Sequence, residues 1–194
     1  MKKKSLHISL LLLILLLAGS CSTKKNTAVS RKYHSITTRF NVFFNGSESY
    51  KDGIENIEKA NKDDFSQILY MYPISNKANA SAATSNMDRA IEKCRKSIKL
   101  HSIKKKPAKN YKQYNDPKYQ AFYNQTEFNP ALKEAWMMLG KAEFHKGDFL
   151  GSVGTFSYIS RHFATVPEIV AESQIWTARA YTEMDWKQNT FLLL

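Results

Sequence analysis

The residues of this 194-residue chain with intrinsic reactivity are few: two cysteines, five histidines and a serine set among glycines. Gly151-Ser152-Val153-Gly154 lacks the residue that separates Gly from Ser in a nucleophile elbow, and its surroundings have a helical pattern where an elbow needs a strand-to-helix turn. Gly147, Gly151 and Gly154 do not fit a dinucleotide-binding loop, and the chain has no phosphate-binding loop. His7, His34, His101, His145 and His162 make no paired metal-ligand spacing with one another or with Cys94. His145 lies close to Glu143 and reads as half of a surface pair. Cys94 shares one helical face with Met87, Ala90, Ile91 and Ile98, so it reads as a buried packing residue and not as a nucleophile. The expectation is a protein with no catalytic residue, no metal, no cofactor and no small-molecule substrate.

The stretch whose spacing specifies an architecture runs from Trp136 to Trp186. Trp136, Leu139, Ala142 and Phe144 keep a helical stripe, Gly140 allows a second helix to approach, and Gly147-Asp148 supplies a turn before Phe149, Ser152 and Phe156. A second round follows in Trp176, Ala178, Ala180 and Tyr181, with Asp185-Trp186 where Asp148-Phe149 stood. This pattern resembles the tetratricopeptide repeat (TPR), with its aromatic slipped from Glu143 to Phe144 and Ser152 in place of Ala. The resemblance implies an all-α, TPR-like solenoid of helical hairpins, a fragment of a right-handed superhelix that binds partners in a concave groove lined by first helices. One helical phase puts Met137, Lys141, Phe144 and His145 in that groove, with Ile175, Arg179 and Thr182 from the next repeat. Lys141 and Arg179 would there either hold an acidic segment of a partner through charge-assisted contacts or stand as plain solvent-exposed charges.

The chain opens with Lys2-Lys3-Lys4 and an unbroken apolar run from Leu10 to Leu17, too short to span a bilayer and of signal-peptide length. Ala18-Gly19-Ser20-Cys21 resembles the lipobox of bacterial lipoproteins, which implies that Cys21 becomes the lipid-modified N-terminus. Removal of residues 1–20 takes three lysines and no acid from a formal charge of +12, leaving +9. Lys24 and Lys25 follow the cysteine where surface-displayed lipoproteins of Bacteroidetes type carry acids, which implies the periplasmic face of the outer membrane.

Beyond a polar tether over 21–32, the reading places TPR-like helical hairpins over 33–100, a basic, tyrosine-rich loop over 101–129 and TPR repeats over 130–186. Within the first hairpins a turn is expected at Asn45-Gly46, with Ser47 as N-cap of a helix running to Ala60. Ser75 to Ser85 is small and polar and reads as loop. In the basic loop, Tyr111, Tyr114, Tyr119, Phe122 and Tyr123 alternate with polar residues and Pro117 interrupts. A solvated loop packing its tyrosines on the scaffold is the plainest account. Anionic lipid headgroups, acidic glycans or an acidic protein are better partners than nucleic acid for an exported chain.

Ser30-Arg31-Lys32-Tyr33-His34, Thr38-Arg39-Phe40-Asn41, Phe43-Phe44-Asn45-Gly46 and Tyr50-Lys51 with Gly53 resemble the N-terminus of the TPR lipoproteins of type IX secretion and gliding motility in Bacteroidetes. That resemblance implies a non-enzymatic adaptor whose partners are secretion-machinery proteins of the outer membrane and periplasm. Two other readings stay open. Phe156, Ile159 and Phe163 before Pro167 and Ala171 also resemble a TPR lipoprotein of outer-membrane barrel assembly. A glycan-binding lipoprotein of nutrient uptake would use Tyr111, Tyr114 and Tyr119 as its platform. Residues 187–194 end in Phe191-Leu192-Leu193-Leu194, unlike the polar-faced capping helix of a finished array, and read as an aberrant or truncated tail.

Overall fold

Apolar residues recurring every three or four positions fold as helices throughout the described part of the chain. A computed structural model describes residues 25–66, 69, 72 and 77–185, and among these every regular element is helical. The signal segment, Cys21, Trp186 and the tail 187–194 lie outside the described residues.

The first helix, α1 (Ala28–Thr37), is capped by the Thr27 hydroxyl accepting from the Ser30 N–H. It passes without a break through a wide π-helical turn (Thr38–Phe43) into α2 (Phe44–Ala60). The turn expected at Asn45-Gly46 is therefore overturned, and Ser47 lies inside α2 instead of capping it. Gly46 serves packing: a Cβ there would lie 3.2 Å from Lys93 Cβ on a neighbouring helix. The expected loop over 75–85 is also corrected, because α3 (Lys77–Ala82) and the start of α4 (Thr84–His101) occupy it. Its alanines are good helix formers, and Asn79 is anchored by donating to Asn61 Oδ1 at 2.8 Å. On α4, Met87, Ala90, Ile91 and Cys94 are buried on one face as their spacing predicts.

The basic loop is more ordered than expected. A 3₁₀ turn (Tyr111–Gln113) precedes α5 (Pro117–Tyr123), and Pro117 begins that helix where it was expected to interrupt. At the first helical position its missing N–H costs nothing, and Asp116 caps the end by accepting from the Lys118 N–H at 2.9 Å.

Helices α6 (Leu132–Lys146) and α7 (Phe149–His162) form the hairpin read from the sequence. Gly147 takes φ +89° at the turn, and the Asp148 carboxylate accepts from the Gly151 N–H at 3.0 Å. Helix α8 (Pro167–Glu183) returns alongside α7, and Asp185, 38 residues after Gly147, repeats the left-handed turn with φ +60°. Helix α4 packs between α2 and α6, and α7 between α6 and α8. Each hairpin's second helix thus meets the first helix of the next, while α2, α6 and α8 touch one another in sequence along one side. This is the nearest-neighbour stacking of a helical-repeat fold.

The α6–α7 contact is set by Gly140. A Cβ there would meet the ring of Phe156 at 2.7 Å, and that ring is fully buried. Gly154 on α7 has nothing within 4 Å of the equivalent point. Gly140→Ala is expected to destabilise the protein by roughly 1–3 kcal/mol, since overpacking outweighs the gain in helix propensity. Gly154→Ala is expected to stabilise it by up to about 1 kcal/mol. Urea denaturation of the two variants reads both signs, and a shift in the same direction for both would contradict this account.

Candidate functional site

The side formed by α2, α6 and α8 holds a shallow groove of about 360 Å³. Its apolar lining includes Phe43, Met137, Met138 and Ile169, with Lys141 and Glu172 at the polar edge. The three helices are the first of their hairpins, the side on which the sequence pattern places the partner groove.

The predicted groove residues divide. Met137 and Lys141 line the groove. Phe144 does not: it is fully buried against Phe149 and Trp176, with ring centroids 5.3 Å from each. Ile175 is exposed, and Thr182 is exposed with its hydroxyl donating to the Ala178 carbonyl. Lys141 is already engaged by Glu172 and sits 5.3 Å from the centroid of the Trp176 ring. Arg179 stacks its guanidinium over Tyr72, Phe144 and Trp176, 3.9, 4.8 and 4.9 Å from their centroids. Its Nε has no hydrogen-bond partner among the described residues. Both cations are held by this chain's own groups, so the groove offers apolar contact edged by paired charges and not an acidic-peptide clamp.

His145 and Glu143 are corrected from surface pair to interior. Each turns off α6 into the core, and Glu143 is only 3% exposed. Its carboxylate accepts from Arg95 Nη2 of α4 at 2.9 Å and from the Thr155 hydroxyl of α7 at 2.6 Å. Burial pushes the Cys94 thiol up to about 12, and the Glu143 charge acts in the same direction. A thiol so held is not a thiolate at neutral pH, in keeping with the packing role. His145 donates from Nδ1 to the Lys141 carbonyl at 2.8 Å, with the Tyr50 hydroxyl 3.3 Å from the same nitrogen.

A second feature was not legible as a site: the division of labour in the N-terminal string. Ser30, His34 and Thr38 are buried. His34 and His101 place their Nδ1 atoms 3.0 Å apart, which requires one ring to donate and the other to accept. Burial lowers the His101 pKa, and the His34 charge lowers it further. Asn129, also buried, donates to Thr38 Oγ1 and to the His101 carbonyl, both at 3.0 Å, and its own Oδ1 accepts from the Ala131 N–H. The other side of the same helix is apolar and open: Val29, Tyr33, Ile36, Phe40 and Phe44 recur at spacings of four, three, four and four, and Phe40 is 76% exposed. The row begins inside residues 21–32, expected to be polar tether, where the structure instead starts the first helix at Ala28.

No group of three or more metal-ligating side chains occurs among the described residues, and no described helix is long and apolar enough to cross a membrane. No protein-family model matches the chain, and no curated protein matches it.

The buried imidazole has a consequence for stability. Burial pushes the His145 pKa down from 6.5 to about 4; its bond to the Lys141 carbonyl opposes this, and the Arg179 and Lys141 charges reinforce it. The unfolded chain therefore takes up the proton at a higher pH than the folded one. The stabilisation is complete above pH 6.5 and is lost as pH falls toward 4. Between pH 7 and pH 5 we expect a loss of about 2 kcal/mol in urea denaturation, with His101 contributing in the same direction. His145→Phe should remove most of that slope, and an unchanged slope would contradict the assignment.

Proposed function

We propose that this chain is a non-enzymatic scaffold, anchored by lipid at Cys21 to the periplasmic face of the outer membrane, that joins protein partners in type IX secretion and gliding motility. The family part of this reading rests on the N-terminal string and the residues before Cys21. The observation that carries the scaffold part is the open apolar row of Val29, Tyr33, Ile36, Phe40 and Phe44. Aromatic residues lined up at helical spacing and left in water are what a helix-packing partner covers. Three of the five belong to the residues that carry the resemblance; Tyr33 also meets the His34 ring edge-on, with centroids 5.3 Å apart.

The groove between α2, α6 and α8 is a second contact of the same kind. Its methionines adapt to different apolar shapes, and its paired Lys141 and Glu172 suit an amphipathic helix, whose own charges border its apolar face.

The test is a pulldown from crosslinked outer membranes with the lipidated full chain and a Tyr33→Glu/Phe40→Glu variant. Wild type is expected to recover secretion-translocon and periplasmic-ring components, and the variant to lose them at least tenfold while keeping its helical circular dichroism and unfolding midpoint. Recovery of barrel-assembly or sugar-uptake components in their place would overturn the reading.

A further inference from the structure

The basic segment that precedes α6 has a fixed position relative to the tether. Asn26 donates through Nδ2 to the Lys105 carbonyl at 2.6 Å and accepts through Oδ1 from Arg31 Nη1 at 2.7 Å. The Arg31 guanidinium in turn lies 5.0 Å from the centroid of the Phe122 ring on α5. The segment, α5 and the start of α1 are thereby clamped together. Asn26 follows Cys21 by five residues, a stretch that spans at most about 18 Å when fully extended. Whatever surface Cys21 is attached to, the backbone of Lys105 lies within roughly 25 Å of it.

This end of the molecule has an unbalanced charge. Between residues 104 and 118 stand Lys104, Lys105, Lys106, Lys109, Lys112 and Lys118 against the single acid Asp116. Among the described residues none of these six lysines is paired with a carboxylate. Two lie over tyrosine rings instead. Lys106 Nζ is 4.7 Å from the Tyr123 centroid, and Lys109 Nζ is 4.6 Å from that of Tyr114 and 5.8 Å from that of Tyr111. Tyr111 is 80% exposed. A hollow of about 370 Å³ opens here, edged by Lys106, Lys109, Tyr114 and Tyr119. Tyrosine and lysine together are the side chains that settle at the headgroup level of a bilayer, the ring amphipathic and the ammonium attracted to phosphate.

We propose that this lysine and tyrosine surface, residues 104–114 with the adjoining face of α5, is a second membrane contact that seats the tethered end of the scaffold against anionic phospholipid headgroups. The inference rests on the lipid-anchor part of the function proposed above. Such a contact would fix how the groove and the Phe40 row present themselves to partners, where a lone flexible tether would leave them free to tumble. An acidic protein is less favoured as the occupant because the clamp to Asn26 keeps the surface within tether reach of the lipidated cysteine.

The experiment is vesicle flotation of the full chain carrying Cys21→Ser, which removes the lipid, compared with the same chain carrying Lys104→Gln, Lys105→Gln, Lys106→Gln and Lys109→Gln. The vesicles are phosphatidylcholine alone and phosphatidylcholine with phosphatidylglycerol. Residues 1–20 are common to both proteins, so the difference between them isolates the patch. Each lysine near an anionic surface is worth about fivefold in binding, so the fourfold variant should bind phosphatidylglycerol vesicles more than tenfold more weakly than its parent. The parent's preference should shrink as salt is raised. Binding of the two proteins within twofold of each other would overturn the proposal, as would retention of the parent on polyglutamate with no preference for phosphatidylglycerol. Palmitate labelling of the wild-type chain reads the lipid anchor separately, so failure of the patch and failure of the anchor give different results.

Discussion

The buried carboxylate of Glu143 is the point at which three helices are fastened together. It stands on α6, and its two oxygens reach Arg95 of α4 on one side and Thr155 of α7 on the other. A carboxylate withdrawn from water is tolerated only with such partners, so the three helices are committed to one relative arrangement. The helix that carries it buries ten of its fifteen residues. A helix with almost no polar face must lie between others, and α4, α7 and α8 supply the cover. From this follows the groove: with α6 fixed in the middle, α2 and α8 are the first helices left to flank it.

At the other end a polar network does the equivalent work. Asn129 ties the start of the second hairpin to Thr38 and to the end of α4, and His34 meets His101 across the same junction. Thr38 opens the π-helical turn, the place where the long first helix changes phase. The shift lets one face of residues 28–60 satisfy this network first and the apolar core later, as Gly46, Gly53 and Ile57 become buried. The open row through Tyr33, Phe40 and Phe44 is the opposite result of the same geometry. The string that carries the family resemblance therefore has two physical parts, one that closes the fold and one left exposed to solvent.

The groove and the lysine surface divide the molecule's contacts by chemistry. The groove has methionine and aromatic lining with its charges already paired, which favours apolar shape matching. The segment from Lys104 to Lys118 has exposed rings and lysines that pair with no carboxylate among the described residues, which favours a polyanionic plane. Asn26 ties the second surface to the start of α1, so under the proposed function orientation on a membrane and presentation of the groove would be mechanically one property.

The sequence by itself determined the helices with strong periodicity. Trp136, Leu139-Gly140, Gly147-Asp148 and Phe156 specify a hairpin because a stripe, a close-approach glycine and a left-handed turn are local requirements. The Met87 to Ile98 face was legible for the same reason, and so was the burial of Cys94. Three features depended on what lies far away in the chain. Asn45-Gly46 is a strong turn signal, yet Gly46 was needed where Lys93 approaches, and helix prevailed over turn. Glu143 and His145 look like surface residues by type, and only partners 48 residues before and 12 after make the burial of that carboxylate affordable. Lys141 and Arg179 look like free cations until Glu172 and the rings of Tyr72, Phe144 and Trp176 are brought to them. Periodicity is a property of neighbours along the chain, whereas the pairing of a charge is a property of neighbours in space, and only the tertiary structure brings those together.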